Sequence, residues 1–317
     1  MSDTSYIKKY DKKADELFGA GKYSETIAFL QPAFEEFPEE YFDIASHIMM
    51  CYREMGLIEK CLDVIEDGLR QGYFFALQWK SWDAIREIDR GRKIQAKNDR
   101  LKAEEQKRSK MRYEVCLPDG YSESKAYPLF LCMHCDSGTI GNIKSHRRYW
   151  ESDVMLSNDF IVVYIQSSFL LSSVGYSWSD DAERRRADIR QCYDEVNAQY
   201  RIDASKVIVT GFSGGALAAI DAAMNDIIPV RGFIALSPDK PEDFSKEMCE
   251  EANKRGVRGV LMEGELAGCD PGLDEMKTVF NQTGLPYQAY VNEGIGHWYP
   301  DDLQIKVGKA LSFILND

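Results

Sequence analysis

Residues Lys206-Val-Ile-Val-Thr-Gly-Phe-Ser-Gly-Gly-Ala-Leu-Ala-Ala-Ile220 constrain this chain more than any other stretch. A β-branched apolar run gives way, within a few residues, to small helix-forming side chains. Such a segment leaves a strand, turns at Ser213 and enters a helix. The turn is so tight that its apex residue must adopt a strained backbone. Gly211 and Gly215, two positions before and after, leave room for the crossing chain. The Ser213 hydroxyl is then exposed above a sheet. The N–H of Gly214 points at whatever carbonyl that hydroxyl attacks.

Strand and helix alternate on both sides of this turn. Strands are predicted at Arg112–Leu117, Tyr127–His134, Phe160–Ile165, Val207–Thr210, Arg231–Leu236, Val257–Met262 and Tyr287–Val291. An amphipathic helix is predicted from Ala182 to Tyr200. Strands separated by helical patterns imply an α/β class, with a doubly wound, mostly parallel sheet covered on both faces. This grammar holds over residues 111–317.

Residues 1–110 read differently, with helical periodicity and almost no strand signal. Ala14–Leu30 carries Gly21 between two helical stretches, and Ala45–Leu62 carries Gly56 in the matching place. The spacing of 35 lies beside the 34-residue tetratricopeptide period. This half therefore resembles tetratricopeptide (TPR) repeats over roughly residues 6–75, without their signature tryptophan. Leu77–Ile85 closes the helical bundle, and the charged run from Gly91 to Arg112 is expected as a solvated helical connector. His47 is expected as a packing or surface residue.

The 317 residues leave room for two domains. The net charge of −13 disfavours nucleic acid as a partner. Neither an apolar run of membrane length nor an N-terminal signal core is evident, so neither membrane insertion nor secretion is expected. Eight cysteines without framework spacing read as reduced thiols in a cytoplasm.

A serine nucleophile needs a base within hydrogen-bond reach. Of the four histidines, His297 lies in the loop Asn292-Glu-Gly-Ile-Gly-His-Trp-Tyr-Pro300, after the last strand and before the last helix. That loop can carry an imidazole over the sheet edge toward Ser213. His146, beside Arg147 and Arg148, is expected at the surface or in a loop. Cys132-Met-His-Cys135 resembles half a metal site, but no second pair at matching spacing exists to complete four ligands, and neither metal nor cofactor is expected.

Residues 112–317 resemble an α/β-hydrolase, nearest to the esterase branch with carboxylesterase/phospholipase-like and depolymerase-like members. The likeness is carried by Pro128–His134, Gln199–Asp203, Gly211-Phe-Ser-Gly-Gly215 and Gly296-His297. It implies an acyl-enzyme mechanism in which Ser213 attacks, His297 moves the proton and a carboxylate orients the imidazole. It also implies an Asp in the loop after Met262. The usual Gly-x-x-Asp spacing lands on Ala267, so Asp270 is expected as that acid, displaced by a short insertion. Glu265 is the alternative, with Glu263, Asp274 or no acid at all behind it. Gly214 is implied as one oxyanion donor. Where relatives read His-Gly-x, this chain has His134-Cys135-Asp136, so the second donor is expected from the backbone of Asp136 or of Cys135.

The loop Gln166–Asp180 follows a strand at the edge where α/β folds bind ligands. Phe169, Tyr176 and Trp178, with Phe212 and Trp298, are expected to line a substrate pocket for small or medium esters. The helical half is expected to contact a protein partner, cover the active-site mouth or mediate self-association. Two other readings stay open: a TPR-like binding module carrying a degenerate hydrolase domain, and a peptidase or amidase on the same triad.

Overall fold

The computed structural model describes residues 6–268 and 270–316. The chain forms two compact units: Met1–Arg108 with Leu170–Gly175, and Ser109–Phe169 with Tyr176–Asp317. The short segment Leu170–Gly175, which the strand–helix grammar groups with the second half, clusters with the first.

The first unit is helical. Lys12–Gly19 pairs with Tyr23–Leu30, and Tyr41–Glu54 pairs with Ile58–Arg70. Both hairpins turn in the same way. Gly21 and Gly56 have φ of 71° and 70°. The Gly21 N–H donates to Phe18 O and the Lys22 N–H to Leu17 O, and Gly56 and Leu57 repeat that pattern on Arg53 O and Tyr52 O. This is a Schellman ending, which requires a left-handed residue that glycine adopts without strain. The repeat seen in sequence is thus a repeated helix stop.

The charged stretch expected as a solvated connector is a docked helix, Asp89–Gln106. Its few small and apolar positions decide this. Ile94 and Asn98 are buried. The Asn98 amide bonds both the N–H and the C=O of Phe75 (2.7 and 2.9 Å). A Cβ on Gly91 would lie 1.6 Å from the Ile85 carbonyl oxygen. His47 is half-buried, with Nε2 3.0 Å from Asp15 and Nδ1 3.3 Å from the Asp43 carbonyl.

The second unit is built on a seven-stranded sheet. Its strands are β1 (Arg112–Cys116), β2 (Tyr127–Met133), β3 (Ile161–Gln166), β4 (Ile202–Phe212), β5 (Gly232–Leu236), β6 (Arg258–Gly264) and β7 (Tyr287–Asn292). Their order is β1-β3-β2-β4-β5-β6-β7, and β1 alone runs antiparallel to its neighbour. Alternate residues face opposite layers. Leu129, Leu131, Val207, Val209 and Phe233 pack in one core with residues of the helices Ala182–Gln199 and Gly214–Met224. Phe130, Ile208, Ile234 and Val260 pack in the other, with residues of the helix Leu303–Leu315. Burial on both faces is why the strands read as unbroken apolar runs.

All seven strands and the Ala182 helix are where the sequence places them. This is the α/β-hydrolase type of architecture, preceded by a helical region. Among the described residues no helix is long and apolar enough to cross a membrane. The seven described cysteines are all free thiols, and Cys269 lies outside the described residues.

Candidate active site

The elbow has the geometry its glycines imply. Ser213 sits at φ 54°, ψ −120°, between the end of β4 and the helix Gly214–Met224. A non-glycine residue held there costs about 1–3 kcal/mol and persists only where its surroundings fix it. They do so here: the Ser213 N–H donates to Leu236 O at the end of β5 (2.9 Å), and Ser213 O accepts from Ala216 and Leu217 (2.9 and 3.0 Å). A Cβ on Gly211 would lie 2.3 Å from the Gly215 carbonyl carbon. One on Gly215 would lie 2.3 Å from the carbonyl oxygens of both Met133 and His134. Strand and helix therefore cross in backbone contact, leaving Ser213 half-exposed at the turn.

His297 arrives on a loop cradled by the end of β6. The Leu266 N–H donates to Ile295 O (2.8 Å), and Glu265 accepts from the Gly294 N–H (2.9 Å). A Cβ on Gly264 would lie 2.0 Å from Gly296 O, so the loop rests on bare backbone there. The imidazole lies against Phe212, the residue before Ser213, with centroids 4.9 Å apart. Loss of hydration lowers the His297 pKa below the ordinary imidazole value, and the charge of Asp239 opposes that shift. Burial thus favours the neutral form of the ring.

Asp239, which the sequence reading did not single out, is the carboxylate whose charge acts on the His297 ring. It lies just past β5, the strand beside β4, which leads into Ser213. Lost hydration, then the nearby Asp270 carboxylate, push its pKa up; His297 pulls it down, and Asp136 adds a weaker upward push. The available signal was Ser237-Pro-Asp239 immediately after an apolar run, at the same sheet edge as the elbow. Asp270 caps the helix Pro271–Thr283, its carboxylate accepting from Gly272 N–H at 2.8 Å. Glu265 serves the histidine loop as above. Among the described residues no hydrogen bond joins His297 to Ser213, Asp239, Asp270 or Glu265. Catalytic bonds of this kind are often long without substrate and close around it.

The loop after β2 is held by His134. Its Nδ1 pairs with Cys135 O (2.7 Å), and its Nε2 accepts from the Ser167 N–H (3.1 Å). Both bonds need the neutral ring with its proton on Nδ1. Burial holds the pKa down to about 4. The Cys135 side chain is buried, and lost hydration pushes its thiol up to about 12, so it is inert. The Asp136 carboxylate accepts from Ser177 Oγ (2.9 Å), Trp178 N (2.7 Å) and Ser179 N (3.1 Å). It also covers Gly214, where a Cβ would meet its Cγ and Oδ1 at 2.2 Å.

His134 makes stability pH-dependent. Its folded pKa lies below the unfolded value near 6.5, so the unfolded chain binds the proton first and this contribution falls as pH drops from about 6.5 toward 4. The stability gap between the wild type and His134→Asn, measured by urea unfolding, is expected to narrow by about 2 kcal/mol between pH 7 and pH 5.

The aromatic residues expected around a pocket divide into two groups. Trp178 is only 1% exposed and packs on the His134 ring, centroids 5.1 Å apart. Phe212 is buried between His297 and Tyr299. Neither side chain presents a free wall, because protein neighbours already occupy their faces. Phe169 and Tyr176 are half-buried. Trp298 is 46% exposed, beside His297 and edge-on to Tyr149. His146, expected at the surface, is 2% exposed, because Ile143, His146 and Trp150 share the inner side of one short helical segment.

No family model matches the chain, and no curated protein matches it. Solved structures do. An uncharacterized protein from Bacillus cereus ATCC 10987 is 20% identical over 98% of this chain and 99% of its own, with a TM-score of 0.55. Esterase PE8 is 18% identical over 65% of this chain and 100% of its own, with a TM-score of 0.50. A carboxylesterase from Mesorhizobium loti is 15% identical over 64% and 94%, with a TM-score of 0.50. These likenesses are in fold. The first extends it over nearly the whole chain, helical part included.

Proposed function

We propose that this chain is a serine hydrolase that cleaves small or medium carboxylic esters through an acyl-enzyme. One observation carries the reading: Ser213 is held strained at the carboxyl edge of a parallel sheet, with a neutral imidazole packed on the residue before it. The shared fold of esterase PE8 and the Mesorhizobium loti carboxylesterase supports it.

In this mechanism Ser213 Oγ adds to the ester carbonyl as His297 takes its proton. The carbonyl oxygen becomes an oxyanion facing the Gly214 N–H and a backbone N–H of the Cys135–Asp136 turn. Its electrons then re-form the carbonyl and expel the alkoxide, which leaves as the alcohol with the proton from His297. Water, deprotonated by the same imidazole, releases the acid and restores the serine. Asp239 stabilises the imidazolium formed in each half-reaction, because it is the carboxylate whose charge acts on that ring. Trp298 offers an open aromatic face beside the histidine for the departing alcohol. The matched Schellman turns support the TPR-like reading of the helical unit, whose proposed role is to bind a protein partner or a second copy.

A fluorophosphonate probe is expected to label one site per chain and to fail on Ser213→Ala, with turnover of p-nitrophenyl acetate or butyrate lost in parallel. Absence of both labelling and turnover in the wild type would reject the reading.

A further inference from the structure

A buried ion pair lies two turns along the elbow helix from Ser213. Asp221 is fully buried and accepts from Arg185 Nε at 2.9 Å, from Arg186 Nε and Nη2 (3.0 and 2.6 Å), and from Asn225 (2.7 Å). Arg185, on the helix Ala182–Gln199, is 1% exposed. Its Nη1 donates to the Trp178 carbonyl (2.8 Å), and its Nη2 to Glu242 (2.9 Å). A buried pair is costly to desolvate and is weak evidence for stability alone. What singles out Arg185 is where its third bond goes.

Trp178 is bonded on both sides of its backbone. Its C=O accepts from Arg185, and its N–H donates to Asp136. Ser177 Oγ and Ser179 N–H bind the same carboxylate, and that carboxylate lies on Gly214. The path therefore closes on itself. It starts on the elbow helix at Asp221, passes through Arg185, Trp178 and Asp136, and returns to the first residue of the same helix. Arg186 shares Asp221 but otherwise turns outward to Asp243, so it lies off this path.

We propose that Arg185 is a positioning residue for the oxyanion site. By fixing Trp178 it holds Asp136, and thereby the turn after β2, at a set distance from the Gly214 N–H. The proposal rests on the ester-hydrolase reading for its kinetic consequence but not for its structural one. A planar fork is needed because Asp221, Trp178 and Glu242 are reached at once; a lysine ammonium can satisfy the charge without spanning all three.

Arg185→Lys is expected to lower kcat for p-nitrophenyl butyrate roughly 10–100-fold, with KM and the acid limb of the pH profile unchanged, a fraction of what losing an oxyanion donor costs. Ser177→Ala removes one donor from Asp136 without touching the ion pair, so it tests the same path if the first variant folds poorly. It is expected to lower kcat in the same sense. Arg186→Gln is expected to leave kcat intact. Amide exchange, followed by mass spectrometry, should accelerate over 177–179 and 136–138 in Arg185→Lys and not in Arg186→Gln. Unchanged exchange in those segments, or equal kcat loss in Arg186→Gln, would overturn the proposal. If the wild type neither labels nor turns over, the hydrolase reading fails while the exchange comparison still decides the positioning role.

Discussion

Asp239→Asn is expected to lower kcat/KM for esters by ~10²–10⁴-fold, the range seen when the carboxylate behind a catalytic histidine is neutralised, whereas Asp270→Asn is expected to leave it nearly unchanged. The difference follows from which charge reaches the imidazole. His297 titrates below the ordinary imidazole value through lost hydration, and Asp239 is the group opposing that shift. Removing the Asp239 charge lowers the His297 pKa further. The acid limb of kcat/KM, expected below the ordinary imidazole range in the wild type, should move to still lower pH. The plateau should fall at the same time, because the imidazolium formed in the transition state loses its counter-charge. Asp270 acts on Asp239 by repulsion. Its removal leaves Asp239 more readily ionised and the acid limb where it was. Rate–pH profiles of the two variants and the wild type decide the matter. Collapse in Asp270→Asn alone would return the acid to Asp270, the residue that the family resemblance implied.

The contrast between these two aspartates shows what a sequence can and cannot reveal here. The strands were legible because each is buried on both faces and so reads as a continuous apolar run. The elbow was legible because its constraints are local: three glycines and a serine within five residues. Asp270 had a local explanation as well. Asp-Pro at a helix start is a capping signal, with the side chain on an early N–H and proline at the first turn, and this is the bond it makes. Asp239 had no such signature. Its proximity to His297 depends on β5 lying beside β4 and on where the β7 loop folds back, facts of topology that no short window contains. The burial of Trp178 was hidden for the same reason, since an aromatic residue in a loop can face solvent or the core and only the position of His134 decides. His146 could have been read correctly. Its three-residue offset from Ile143 places both on one helix face, against the pull of two neighbouring arginines.

Gly215→Ala should be strongly destabilising, by about 3 kcal/mol or more in urea unfolding. The new Cβ would stand 2.3 Å from two carbonyl oxygens, those of Met133 and His134. Neither is a flexible side chain. Met133 ends β2, and its register against Gly211 of β4 is fixed by the ladder on both sides of the sheet centre. Relief therefore requires the helix Gly214–Met224 to lift from the sheet, which opens the core that its alanines fill. Gly214→Ala meets a different obstacle. Its Cβ strikes the Asp136 side chain, which sits in a loop and can move. That variant should keep more of its stability while losing turnover, since the group displaced is the one that holds the turn proposed to bind the oxyanion. Gly296→Ala serves as the control, because nothing lies within 4 Å of a Cβ there. Its urea midpoint should stay within about 0.5 kcal/mol of wild type. A Gly215→Ala protein as stable as Gly296→Ala would mean that strand and helix do not cross in contact, and the backbone support proposed to hold Ser213 for attack would be absent.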